Sequence, residues 1–227
     1  MTSKLDRLRR AAYGLGLVSI GLAISVVLLI VMLAVGLPKA DRLRVEGLEA
    51  LGPWNYVINF LGLLSAAVSL VGKFFCARVP EESAATGPIT LSLFFGAAGL
   101  LFSVGSEIPA TAALFQNGAP FTPLFSALGY VTFLVYMRRV SDFVGEPLLA
   151  EHSRRVLMGS LLLVPPAFLG LILISEGGAG LGVIVGVAAL VGVVIAGWVL
   201  FFLFARLIHR LRRAIDIKAS LYEDLGD

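Results

Sequence analysis

The segment "WNYVINFLGLLSAAVSLVGKFF", residues 54–75, carries four side chains able to hydrogen-bond or hold charge inside an otherwise apolar run: Asn55, Asn59, Ser69 and Lys73. At 100° per residue, these four and the small residues Gly62 and Ala66 fall within an arc of about 80° on a helix. Ile58, Leu61, Leu64, Val68 and Phe75 lie outside it. Two chemistries suit such a stripe. Small and weakly polar residues let helices approach closely and bond to one another in lipid, each bond worth about 0.6 kcal/mol. The same groups could instead line a polar path or pocket. Packing is the simpler reading, because serine and glycine commonly join helices. The two asparagines fall near one end of the segment, where water is close. Lys73 falls near the other, where its stem can extend to the headgroups.

The stripe has counterparts. Ser92, Gly96, Gly99, Ser103 and Ser106 follow a 4-3-4-3 spacing. Gly14, Gly21 and Ser25 form a shorter version, and Gly182, Gly186, Ala189, Val193 and Ala196 open with a GxxxG pair. The short connection between the second and third segments predicts antiparallel packing through their stripes, with Gly62, Gly96, Gly99, Gly182 and Gly186 as close-approach positions.

Other candidates are weaker. Glu107, with Gln116 and Asn117 nearby, could form a small outward-facing site for a cation or polar solute; a solvated carboxylate at a helix end explains it more simply. Pro165-Pro166 removes two backbone donors in mid-segment, which predicts a kink. In "RRVSDFVGEPLLAEHSRR", Val140, Phe143, Val144, Leu148 and Leu149 could rest on the inner leaflet while the arginines meet anionic headgroups. A convergence of His152 with Glu146 and Asp142 would favour an enzyme of the inner surface. A single cysteine, Cys76, leaves no internal disulfide or multi-cysteine metal site. Two histidines, both outside the apolar runs, argue against a bis-histidine haem and a histidine-rich zinc site. Walker, HExxH, GxSxG and EF-hand patterns are missing, and no pair of acids lies within an apolar run. No cofactor and no nucleic-acid partner are expected.

The elements that must position these residues follow from composition. The 227 residues are 58% hydrophobic and 15% charged, with a mean hydropathy of +0.94; a soluble chain carries about 25% charged residues. Six runs lack Asp, Glu, Lys and Arg: 11–38, 50–72, 83–106, 108–137, 156–175 and 177–205, each of at least 20 residues. About 20 residues of helix cross a ~30 Å hydrocarbon core, and backbone groups in lipid must be satisfied internally. The expectation is an all-α, polytopic membrane bundle of six transmembrane helices, at about 11–37, 54–75, 86–106, 120–137, 156–175 and 179–205. The first apolar run exceeds the length of a signal peptide and reads as a retained anchor.

With the N-terminus inside, 15 of the 18 Lys and Arg residues fall on the inner side, leaving Lys39, Arg42 and Arg44 outside. Both termini are then cytoplasmic. Residues 206–227 read as an amphipathic cytoplasmic tail with Ile208, Leu211, Ile215, Ala219 and Tyr222 on one face, lying on the membrane surface or docked to a partner. The prolines and Asn117-Gly118 between 108 and 123 break the outer segment, predicting an interfacial helix near 110–116 or a re-entrant turn.

The functional expectation is a non-catalytic subunit, assembly or organising protein of a cell membrane, in style that of a bacterial inner membrane. Its partners would be a bilayer with anionic inner-leaflet headgroups and a second copy or another membrane protein. A small-solute permease or channel through the polar stripes is the alternative; a membrane enzyme at the inner surface ranks third.

Overall fold

A computed structural model describes residues 4–36, 38, 51–108, 111, 115, 121–166, 169 and 181–224. Among them, all regular structure is helical: α1 (Lys4–Gly36), α2 (Pro53–Cys76), a 3-10 turn (Glu81–Ser83), α3 (Thr86–Glu107), α4 (Thr122–Val144), α5 (Pro147–Leu162) and α6 (Leu181–Asp224). Four segments are long and apolar enough to cross a membrane: Lys4–Gly36, Pro53–Cys76, Thr86–Gly105 and Val191–Leu221. The 24 residues of α2 rise about 36 Å, slightly more than a hydrocarbon core.

Local chemistry explains several boundaries. Pro53 begins α2 behind Gly52, whose φ of 60° suits glycine. Gly145 ends α4 at φ 88°, donating to the Ser141 and Asp142 carbonyls, while the Glu146 N–H returns to the Ser141 carbonyl at 3.0 Å. Pro147 then starts α5. This compact corner replaces the expected inner loop: residues 138–144 belong to α4 and 147–155 to α5. Val140 and Leu149 turn into the core, and Leu148 stays exposed. The limits expected at 137 and 156 mark where charge begins, and charge ends the lipid-compatible stretch without ending the helix.

The same reasoning applies at the chain ends. Helix α1 starts at Lys4, well before residue 11. Helix α6 runs uninterrupted for 44 residues, about 66 Å. The segment expected to lie on the membrane surface is therefore a continuation of α6, and its apolar face closes on the chain itself. Ile208, Leu211, Ile215 and Ala219 are buried in one core with Leu8, Ala11, Ala12 and Leu15 of α1.

Each helix packs against the next, and α6 returns to α1, closing a ring; α2 and α3 touch more sparsely than α1 and α2 or α3 and α4. The tight core gathers at the end that holds both chain ends and the α2–α3 and α4–α5 connections, including Cys76, Ile89, Tyr136 and Met137. Arg9 meets Glu223 at 2.5 Å, Lys4 meets Glu82 at 3.0 Å, and Lys218 donates to the Phe143 carbonyl at 2.5 Å. Glu82, bonded first to its own backbone N–H and then to Lys4, is held below the usual carboxylate range. Tyr56, Phe60, Phe94, Leu101 and Phe202 point outward, the arrangement expected of faces that meet acyl chains.

At Pro165-Pro166 the expected kink shows as an interruption at Leu163, after which helical backbone resumes over 164–166. Helix α5 ends at Leu162, and Leu163 is a turn residue donating to the Ser160 carbonyl at 3.3 Å. The carbonyls four residues before the prolines belong to Leu161 and Leu162, so the helix stops where the two missing donors are due.

Candidate functional site

The closest helix contact is between α1 and α2. A Cβ added at Gly14 would lie 2.5 Å from the Gly72 carbonyl oxygen, and one at Gly72 would lie 2.7 Å from the Gly14 carbonyl oxygen. Ser65 donates to the Gly21 carbonyl at 2.9 Å, and its hydroxyl pairs with that of Ser25 at 2.7 Å. The short stripe Gly14, Gly21 and Ser25 is thus a packing surface. Its partners on α2 include Ser65 and Gly72, which lie about 80° and 100° from Asn55 and outside the predicted stripe. The α3–α4 contact is similar. Ser92 is fully buried and donates to the Gly129 carbonyl at 2.6 Å.

The stripes of α2 and α3 do something else. The two helices touch, as where Gly96 faces Leu70, and along their stripes, against α4, lies a crevice of about 430 Å³. Helix α2 lines it with Asn59, Gly62, Ala66, Ser69 and Lys73, and α3 with Gly96, Gly99 and Ser103. Helix α4 adds Thr122, Ser126 and Gly129. Exposed Ala66 and Ser126 sit at its mouth. A cavity of this size admits a small molecule.

Lys73 is the charged group of the crevice. Its ammonium lies 5.4 Å from the centroid of the Phe133 ring, a cation–π distance. It approaches so near α3 that a Cβ at Gly96 would sit 3.8 Å from Nζ and 3.2 Å from Leu70. The tight neighbour is Leu70, while Lys73 would be met at ordinary van der Waals distance. No carboxylate among the described residues lies within ion-pairing distance of Lys73. Gly99 and Gly62 are looser, with added Cβ atoms meeting Phe125 and Ser126 at 3.7 Å and Leu28 at 3.8 Å.

Of the predicted stripe, Asn59, Ser69, Lys73 and Ser103 converge on the crevice, whereas Ser92 belongs to the α3–α4 joint. Asn55 lies outside the crevice lining, near the start of α2, and its buried side-chain oxygen has no hydrogen-bond partner among the described residues. Gly186 is buried in α6, and Gly182 falls in the first turn of that helix. Glu107 is the last residue of α3; Gln116 and Asn117, its proposed companions, lie outside the described residues. Glu146 and His152 line a common groove at the α5–α6 surface, but Asp142 lines a different one with Arg138, Arg139 and Arg154. The three-residue cluster that would favour an enzyme does not assemble.

Thr122, Ser126 and Gly129 were not singled out by sequence reasoning. Their 4-3 spacing repeats that of α3, a signal diluted by proline and masked by the larger aromatic residues around it. No protein-family model matches this chain, and comparison with curated proteins and with solved structures gives no match.

Proposed function

We propose that this chain is a multi-pass integral membrane protein whose α2–α3–α4 crevice binds a small polar molecule bearing a negative charge, as a permease or channel would. The observation that carries this reading is the convergence on one cavity of Lys73 with Asn59, Ser69, Ser103, Thr122 and Ser126. A lysine near a helix end can reach the headgroups; Lys73 lines the crevice and stands over the Phe133 ring. Hydroxyl and amide groups can orient a bound carboxylate or halide, and the ammonium can neutralise it. Both termini face the cytoplasm, which puts Lys73 toward the inner side and Asn59 and Ser103 toward the outer. The positive-inside balance and a bacterial style of composition suit an inner membrane.

The test uses purified protein in proteoliposomes with chloride and acetate as probes. Efflux of either is expected from the unaltered protein, and at least a tenfold loss from Lys73→Gln, with Lys73→Arg retaining part of the rate. In a Cys76→Ala background, Ser103→Cys and Ala66→Cys should react with a membrane-impermeant thiol reagent. Unreactive cysteines at both positions, together with no efflux of either probe, would refute a hydrated path and return the crevice to packing.

A second reading, a non-catalytic subunit or organising protein, draws on the crevice of about 500 Å³ between α1 and α6. Val26, Leu29, Leu33 and Trp198 give it an almost wholly apolar lining, suited to a helix of a second copy or another membrane protein.

A further inference from the structure

At the opposite side of the ring from the Lys73 crevice, α5 and α6 enclose a groove of about 300 Å³. Arg206, Arg210 and Arg213 line it from α6. At 100° per residue these three fall within an arc of about 60°, and they climb about 10 Å along the axis. His152 of α5 and Glu146, the residue just before that helix, line the groove with them. The three guanidiniums are exposed, and none has an ion-pair partner among the described residues. One carboxylate opposes three cations, so the groove keeps an excess of positive charge.

The position of the groove adds a second, independent observation. Arg206 is the first charged residue after the charge-free run 177–205, so the guanidiniums begin where the hydrocarbon ends. The floor of the groove is apolar, with Leu207 between Arg206 and Arg210 and Leu203 about one turn nearer the charge-free run. Leu148 and Ile217, 75% and 63% exposed, line the groove as well.

We propose that this groove is a site for the phosphodiester headgroup of an anionic phospholipid of the leaflet nearest the chain ends. The arginines engage the phosphate oxygens, which their planar forks match in pairs, and an acyl chain runs down over Leu203 and Leu207. A free phosphate ion shares the first chemistry but has no use for the apolar floor, and the lipid is therefore the favoured source. Glu146 lines the same groove and can accept from a hydroxyl of a glycerol headgroup while tempering the charge.

The full-length protein, purified in mild detergent, would be loaded with dioleoylphosphatidylglycerol or with dioleoylphosphatidylcholine and its retained lipid weighed by native mass spectrometry. The glycerol lipid is expected to be held and the choline lipid lost. Arg206→Gln/Arg210→Gln/Arg213→Gln should weaken retention by roughly a hundredfold, at about fivefold per basic residue. Arg138→Gln/Arg139→Gln/Arg154→Gln removes the same charge from the same end and should leave retention near its starting value. Equal losses in the two triple variants would reduce the effect to general surface attraction and overturn the site. Displacement of the lipid by an equal concentration of inorganic phosphate would make the ligand a soluble anion instead. Should the triple variant not fold, Arg210→Gln alone is expected to lower retention about fivefold, and unchanged retention in that variant would equally refute the proposal.

Discussion

The residues of this chain sort by what their neighbours require of them. Gly14 and Gly72 are needed as glycine, since each faces the other's backbone carbonyl at a distance no Cβ tolerates. Backbone cannot yield as a flexible side-chain tip can. Gly72→Ala is therefore expected to lower stability by about 1–3 kcal/mol, the usual cost of forcing volume into a fitted contact. Unfolding in mixed micelles of increasing denaturing-detergent content would measure it. The same change at Gly62, whose added Cβ would meet only Leu28 at 3.8 Å, should be nearly neutral, and an equal loss at both sites would show that the α1–α2 contact is not as close as described. Lys73 makes the contrasting case. No described carboxylate lies within ion-pairing distance of it, and the Phe133 ring stands beside its ammonium at 5.4 Å.

At the scale of the element, α6 is the instructive helix. Its outer half is apolar all round, as a span must be. Its last five turns alternate basic and apolar residues with a helical period, a pattern shared by helices that lie on membranes and helices that dock. The tertiary structure selects docking, because α1 extends far enough inward to offer Leu8, Ala11 and Leu15 to the same face. Leu211→Asp would place a charge in this joint with no partner. It should cost about 3 kcal/mol or more, read as a lowered thermal midpoint in detergent. Leu221→Asp, at a position 56% exposed, should shift the midpoint little. Equal effects of the two changes would indicate a helix released from α1 and resting on lipid. Helix α5 shows the opposite case: it runs for 16 residues and is interrupted at Leu163, just past the carbonyls that Pro165 and Pro166 leave without donors, before helical backbone resumes over 164–166.

For the whole molecule, a ring of six antiparallel neighbours with the first and last in contact requires both chain ends to lie at one end of the bundle, and the Arg9–Glu223 pair joins them there. That pair is exposed and contributes at most about 1 kcal/mol, so the buried apolar joint beneath it holds the arrangement. Affinity tags placed at the two termini are accordingly expected to be cut by protease from the same side of sealed vesicles and protected from the other. Cleavage of one tag only from each side would mean an odd number of crossings. The asymmetry of the core has a further consequence. With the tight packing gathered at the end that holds the termini, the Lys73 crevice lies between helices that touch more sparsely than either neighbour of α1 touches it, and opening there costs fewer contacts than opening beside α1.

Charge and length were enough to mark the apolar segments, because hydrocarbon excludes charge and demands about 20 residues of helix. The 100° period was enough to find faces that avoid lipid, and Asn59, Ser69, Lys73, Gly96 and Ser103 were legible on that basis alone. The partner of each face was decided only in three dimensions. In lipid, association depends on how closely two particular surfaces fit, which is a property of the pair and is written in neither helix separately. Hence Ser65 and Gly72, unremarkable in their own helix, became the α1 joint, the expected α2–α3 seam opened into a crevice, and Thr122 and Ser126 acquired a role when α4 came to stand beside it.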